Sequence, residues 1–598
     1  MSNLQTHPAP PPCNSSDHTP PAHRNLTTIT FALATFALAA FGVFVLPFFF
    51  PPTHLALSAA YSAGFNNRAA DLAAAFVACL TFFVAWRFRL YPHTQPQHDP
   101  RPTPRLVLAL SIAACIAFNG FLGWMSARTN LAVYDARYFL EAMDDVIRYH
   151  LHIYSGFNFA YGPLLLYLPI WIHSLLAPFH TGTQGAYYTA LVLMQCLGLL
   201  LLHATLKALQ VPRAVHVPAF VVLTLTTFNP ILGINYTLVR SLLPFATLLF
   251  AARAKTPRAL AIFFFLGELL QLAVSPELGF AFAAGACFYA LCLAIRDRHN
   301  RPLGWLPAIA APLAAAALFL AIFGKAYLAS VFTFANGDYN LIVEPLGYIL
   351  LFLLCLVWIV PRSLAADFRR HHPQALLRAG LFVLSIGLLP AALGRCEPLH
   401  VLFAGLGVYV LAVAALAPWS APTRNLWLIL FAGIIAWTQC VSFIYHQQPR
   451  VAAAILYRHA PWQESIDIAR LRTLTGGQPV SVPFMIPLNI ERQIKHSYLY
   501  LPDREEFRIN VGDPASEDAK AARMNKTGWA LIPAQIPESV YTPQTTSVSV
   551  GFGYNFYPVR QKPYISGAII AHDLKAHWTP VASFGKWVLY HRKQREQR

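Results

Sequence analysis

Apolar runs long enough to make helices recur along most of the chain, separated by short polar connections. They occupy roughly 27–49, 70–86, 106–125, 186–206, 214–232, 241–252, 259–275, 278–295, 303–323, 346–360, 375–393, 400–417 and 424–444. A bilayer core needs about 20 apolar residues per helix. In hydrocarbon the backbone must satisfy its own hydrogen bonds. Alternating segments of the barrel type are absent, so the pattern predicts an all-α polytopic membrane protein with about thirteen transmembrane helices. A further apolar run, 163–178 ("PLLLYLPIWIHSLLAP"), carries three prolines and a histidine.

Basic residues gather in cytoplasmic connections of membrane proteins, and this arbitrates the odd run. If 163–178 does not cross and the N-terminus is cytoplasmic, eighteen Lys and Arg fall in inside connections and seven in outside ones. Counting 163–178 as a span flips every later loop and destroys the bias. It is therefore expected to lie at the outer interface or to re-enter from it, a level that suits Tyr161, Tyr167 and Trp171. The odd number of spans then places the C-terminus outside.

Three regions follow. Residues 1–26 are rich in Pro and His and read as a disordered cytoplasmic tail. Residues 27–444 form the transmembrane domain, with a large outer loop at 126–185. Residues 445–598 are polar and Pro-rich, with short alternating runs such as "PVSVPFMI" and "KWVLYH". They are expected to form a small extracytoplasmic α/β domain. The run 27–49 is too long for a signal-peptide core and is kept as a span.

Composition agrees. Hydrophobic residues make up 56% of the 598 and charged residues only 12%, where a soluble protein carries about a quarter. The net charge of +18 is a matter of topology here, so no nucleic-acid partner is inferred; the lipid bilayer is the first partner. Nine scattered cysteines include no CxxC pair, which excludes a disulfide framework or a cysteine metal cluster.

Against this background the window "NLAVYDARYFLEAMDDVIRYHLHIYSGFNFAYGPLLLYLP" (130–169) is unusual in holding Asp135, Glu141, Asp144 and Asp145. Ala136, Leu140, Met143 and Ile147 share one stripe of an amphipathic helix over 135–150. The blandest expectation for Glu141, Asp144 and Asp145 is a solvated acidic face. Asp135, close to the end of the third span and flanked by Tyr134 and Tyr138, stands apart. The same topology puts Asn235, Arg240, Glu277, Lys325, Asp338, Glu344, Arg395, Glu397 and His400 on the outer side. Arg, Lys and His beside a carboxylate suit an anionic lipid headgroup with a proton acceptor nearby. Glu268, in the middle of the span "FFFLGELLQLAV", is either paired with a polar neighbour such as Gln271 or His203, or functional.

A span, an outer loop with "YDARYF", then "HIYSGFNFAYGPLLLYLP" and a late outer "GRCEPLH" resemble the GT-C superfamily of membrane glycosyltransferases. The bacterial branches akin to protein O-mannosyltransferases and aminoarabinose transferases are the nearest. Asp135 and Tyr138 match one motif, Tyr154 and Tyr161-Gly162-Pro163 a second, and Arg395 with His400 a third, over roughly residues 106–420. Two additional spans precede the usual first one. "YDAR" also stands where several members carry an adjacent acid pair, which leaves a divalent cation as an open cofactor and any metal ligands unknown.

The resemblance implies inverting transfer of a sugar from a polyprenyl-phosphate donor to an acceptor (lipid, glycan or protein) at the outer face of the bacterial inner membrane. Asp135 would be the general base. Arg395 and His400 would hold the donor phosphate, with Arg240 and Lys325 as further candidates. Glu277 and Glu397 would orient these bases or the sugar, and Tyr138, Tyr154 and Tyr161 would stack on the sugar or line the lipid groove. Two rival functions remain: a transporter or flippase of a lipid-linked sugar, and a non-catalytic membrane scaffold.

Overall fold

The computed structural model describes residues 21–52, 60, 63–91, 103–129, 134–227, 233–297, 302–335, 340–446, 451–452, 455, 466–484, 490, 493–494, 514–536 and 568–593. Asp338 and the tail 1–20 lie outside them.

The helices run α1 Pro21–Ala40, α2 Asn67–Phe88, α3 Arg105–Thr129, α4 Tyr134–Tyr149, α5 Pro163–Leu176, α6 Thr183–Ala208, α7 Arg213–Thr224, α8 Leu238–Ala251, α9 Pro257–Val274 and α10 Pro276–Arg296. They continue with α11 Leu306–Ala335, α12 Gly347–Leu354, α13 Val360–Arg369, α14 Ala375–Gly387, α15 Leu389–Leu393, α16 Pro398–Ala404, α17 Leu406–Leu416 and α18 Ala421–His446. Among the described residues nine helical segments are long and apolar enough to cross a membrane, or ten if the bent pair α16–α17 is one span. The runs expected at 214–232, 241–252 and 375–393 form shorter apolar helices, as does 163–178. Pro218 and Pro244 sit inside α7 and α8, where each removes a backbone donor.

Two expected boundaries move. The run 346–360 continues through a π-helical stretch, Cys355–Ile359, to Arg369. Arg362, expected in a connection, is buried; its guanidinium lies 4.2 Å from the Trp358 ring centroid and donates to the Leu90 carbonyl at 2.7 Å. The run 303–323 extends to Ala335 and breaks at Gly324, whose φ of 64° and ψ of −159° suit only glycine.

The acidic face of α4 is also a correction. The amphipathic helix forms, but Glu141, Asp144 and Asp145 are buried rather than solvated. α4 packs on α5 and α6, so its polar stripe is covered as well as its apolar one. Glu141 and Asp144 meet bases of the same helix: Arg137 pairs with Glu141, and Arg148 lies 3.4 Å from Asp144. Glu268 is buried against Gly279, on the same helix as Gln271, which donates to Thr247. His203 bonds Thr103 and His216 instead.

The C-terminal region contributes α19 Ile468–Thr475, α20 Pro514–Thr527, α21 Ala568–His577, and an antiparallel sheet in the order β1-β3-β2, from Trp529–Pro533, Trp578–Phe584 and Trp587–Arg592. Alternation along β1 gives the sheet two cores. Leu531 faces Leu589, Trp587 and Leu471, while Ala530 and Ile532 face Met524, Ile570 and Leu574.

Asn67 fixes the loops that matter below. Its buried amide donates to the carbonyls of Leu341 and Leu393 at 2.7 and 3.0 Å. The start of α2 therefore staples the segment before α12 to the one that leads into Arg395. Asn66 caps the same helix by accepting from the Arg68 and Ala69 amides.

Candidate functional site

Apart from Arg395, which a loop carries, the charged groups of the cluster come from helix beginnings. Asp135 is in the first turn of α4, Arg240 in that of α8, Glu277 in that of α10, and His400 in that of α16, with Glu397 at its N-cap. The exposed amides of a helix start carry partial positive charge, so the two carboxylates in the first turns of α4 and α10 sit favourably.

Tyr161 belongs to the extended segment before α5. Gly162, next to it, donates to the Val274 carbonyl at 3.0 Å. A Cβ at Gly162 would fall 2.3 Å from the Ala273 backbone, so only glycine allows this approach. Gly233 plays a similar part: a Cβ there would lie 2.7 Å from the Asp135 Cβ and overlap Asn235.

Around these backbones the side chains form a connected network. The fully buried Asn235 donates its amide to the Tyr161 hydroxyl at 2.6 Å, and its carbonyl accepts from Arg240 at 2.8 Å. The Arg240 guanidinium lies over the Tyr161 ring, 5.1 Å from its centroid, and pairs with Glu277, which also accepts from the Ser275 hydroxyl. Arg395 approaches Glu397 at 3.3 Å. The other Glu397 partner is His400 Nδ1 at 3.5 Å, and His400 Nε2 lies 2.9 Å from the Tyr236 hydroxyl. The loop that carries Arg395 and Glu397 is pinned through Cys396, whose thiol donates to the Ile342 carbonyl and whose carbonyl accepts from Tyr348.

Electrostatics tie Asp135 to the rest. Burial pushes its carboxyl up to about 6; the Arg395 charge pulls it down, Glu397 raises it again, and Arg240 lowers it. For Glu397 burial acts upward, but the Arg395 charge and the bond from His400 outweigh it and hold the carboxyl down to about 2. Burial, reinforced by Asp135, pushes the Tyr161 phenol up to about 12. The site thus holds one carboxyl poised near neutrality and a second fixed as an anion by its ion pair.

Of the residues singled out in the sequence, Asp135, Tyr161, Arg240, Glu277, Arg395, Glu397 and His400 come together. Tyr138 and Tyr154 stand behind them: Tyr138 accepts from the Ala160 amide at 2.8 Å and stacks on Phe159, while Tyr154 is buried against Tyr327 and donates to the Tyr161 carbonyl at 2.8 Å. Both shape the segment that presents Tyr161. Lys325 is exposed beside the Gly324 break, and no hydrogen bond, ion pair or ring contact described here joins it to the cluster. The His400 ring lies between two protein groups, with Nε2 2.9 Å from the Tyr236 hydroxyl and Nδ1 at an ion-pair distance of 3.5 Å from Glu397. Sequence reasoning did not single out Tyr236 or Gly233. The signal lay in "GINYTLVR", where a glycine and two polar side chains directly precede the Arg240 helix.

Among the described residues no three His, Cys, Asp or Glu side chains assemble as a metal-binding group. Glu277 and Glu397 are already engaged by arginines.

No known family profile matches the chain, and no curated protein matches its sequence. Solved structures give loose likenesses. ArnT from Cupriavidus metallidurans in the apo state is 13% identical, with a TM-score of 0.39 over 81% of this chain and 98% of that one. The same enzyme bound to undecaprenyl phosphate is 12% identical, with a TM-score of 0.39 over 81% and 97%. The apo oligosaccharyltransferase of Archaeoglobus fulgidus is 13% identical, with a TM-score of 0.38 over 71% and 69%.

Proposed function

We propose that the chain is a membrane glycosyltransferase of the GT-C type, which moves a sugar from a polyprenyl-phosphate donor to an acceptor hydroxyl at the outer face of a bacterial inner membrane. The observation that carries this reading is the meeting of Asp135 with Arg395, Glu397 and Arg240. These residues come from segments far apart in sequence and include the proton acceptor and the cationic clamp that the motifs imply. A scaffold has no need of such a meeting.

In this mechanism Asp135 takes the proton of the acceptor hydroxyl as its oxygen forms a bond to the anomeric carbon. The bond from that carbon to the phosphate oxygen breaks on the opposite face, so the configuration inverts. The phosphate leaves with its negative charge, held by Arg395 and Arg240 through charge-assisted hydrogen bonds. Glu277 and Glu397 fix the direction of the two guanidiniums. Proton transfer to a placed carboxylate contributes about 10²–10⁴ in rate.

The test is transfer by the purified protein from a panel of labelled polyprenyl-phosphate sugars, with the anomeric configuration of the product read by NMR. Release of inverted product from one donor supports the reading. No transfer from any donor, with polyprenyl phosphate unable to bind, contradicts it.

A flippase for a lipid-linked sugar is the second reading, favoured by the 59° bend between α16 and α17 beside the site. It requires movement of labelled lipid across vesicles without turnover.

A further inference from the structure

The row Tyr236–His400–Glu397–Arg395 joins a phenol, an imidazole, a carboxylate and a guanidinium, at 2.9, 3.5 and 3.3 Å. Its hydrogen-bond directions depend on one proton. With His400 neutral and its Nδ1–H turned to Glu397, Nε2 is an acceptor and Tyr236 must donate to it. With His400 protonated, Nε2–H donates to the Tyr236 oxygen, and the phenolic O–H is released to another acceptor.

We propose that Tyr236 is a phosphate-binding hydroxyl of this site, and that His400 is the positioning residue that turns it toward the ligand by taking up a proton when an anionic phosphate arrives. The proposal deepens the transferase reading and rests on it.

The charges around the pair give the reason. Glu397 and Arg395 face His400 from the loop before α16, Tyr236 from the turn before α8, Arg240 from α8, Asp135 from α4 and Tyr161 from the segment before α5. Asp135, Glu277 and Glu397 against Arg240 and Arg395 leave one uncompensated negative charge while His400 is neutral. A phosphodiester adds another. A proton on His400 offsets it and leaves Asp135 free to act as base. The same proton adds a hydrogen-bond donor, because the Tyr236 O–H no longer needs His400 as its acceptor. Tyr236 is almost fully buried, against Leu399 and Phe403, so its ring is held while only the hydroxyl proton changes direction.

The test uses the full-length protein in detergent and a short-chain polyprenyl methyl phosphodiester, which keeps a single charge throughout the range measured. Binding is followed from pH 6 to 8, and proton uptake by calorimetry in two buffers of different ionisation enthalpy, with every protein made on an Asp135→Asn background so that the Asp135 carboxyl, itself near 6, adds no proton of its own. The parent on this background is expected to take up a proton on binding, its Kd rising with pH by up to about tenfold per unit where one proton is linked. Tyr236→Phe should weaken binding about tenfold at pH 6 and flatten this dependence. His400→Gln, whose amide can donate to Tyr236 at every pH, should keep affinity near the low-pH parent value without the slope. Equal slopes in the parent and Tyr236→Phe overturn the proposal and leave the transferase reading intact. No binding by the parent overturns both.

Discussion

Asn235 donates a 2.6 Å hydrogen bond to the hydroxyl of Tyr161, while its main-chain carbonyl accepts from Arg240 at 2.8 Å. One buried residue thereby sets the height of an aromatic ring and the direction of the cation lying over it. Asn235→Ala would keep the carbonyl but leave the half-buried Tyr161 hydroxyl without its donor. A hydrogen bond of this kind contributes about 0.5–1.5 kcal/mol. The expected result is a thermal midpoint lower by a few degrees, and a kcat/KM for transfer reduced about tenfold, because the Tyr161 ring beneath Arg240 loses its anchor. Steady-state kinetics and thermal unfolding in detergent check both.

Gly162 carries a steric prediction. In Gly162→Ala the new methyl would fall 2.3 Å from the Ala273 backbone, which cannot yield as a side-chain end can. Overpacking of this kind costs about 1–3 kcal/mol. A clear drop in thermal midpoint is expected, whereas Gly182→Ala, where a Cβ meets nothing within 4 Å, should leave it unchanged. Thermal unfolding of the two variants side by side checks this.

The pH profile follows from Asp135 and Glu397. Asp135 is raised to about 6, and only its ionised form can accept the acceptor proton, so kcat at saturating donor should rise with pH along a limb at or above 6. Because the folded state holds that proton more tightly than the unfolded chain, Asp135 lowers stability as pH climbs from about 4 through 6. Glu397 has the opposite sign. Held down to about 2, it contributes stability that is complete above its unfolded value and is lost as pH falls toward 2. A kinetic profile from pH 5 to 8 and unfolding midpoints in the same buffers check the pair.

Arg395 should not tolerate its usual replacement. Lysine keeps the charge but not the planar fork that faces Glu397 and, in the proposed complex, the phosphate. Arg395→Lys is expected to raise the Kd for polyprenyl phosphate about tenfold, and Arg395→Ala about a hundredfold, in line with the 1.5–3 kcal/mol of a hydrogen bond to a charged group. Equilibrium binding in detergent checks the order.

Much of this was legible in the sequence because hydrocarbon enforces simple rules. Long apolar runs become helices, and polar residues at the ends of such runs are costly enough to be informative. Asp135, Arg240, Arg395 and His400 stood out on that ground. What escaped was what needs three dimensions. Asp144 and Asp145 read as a wet face until α5 and α6 cover them. Tyr236 looked like one aromatic among many until His400, from a helix far along the chain, reached it. Gly233 gave no local signal, because the Asp135 side chain it makes room for comes from elsewhere in the chain. The runs now seen as α7, α8 and α14 looked like full spans because composition does not say where an apolar segment stops being helical.

The most direct measurement separates binding from turnover in Asp135→Asn, a change that preserves shape while removing the proton acceptor. The account predicts that this variant binds polyprenyl phosphate with a Kd within about threefold of the wild type, while single-turnover transfer falls by about 10²–10⁴. Transfer at the wild-type rate, or loss of binding and turnover in equal measure, would contradict it.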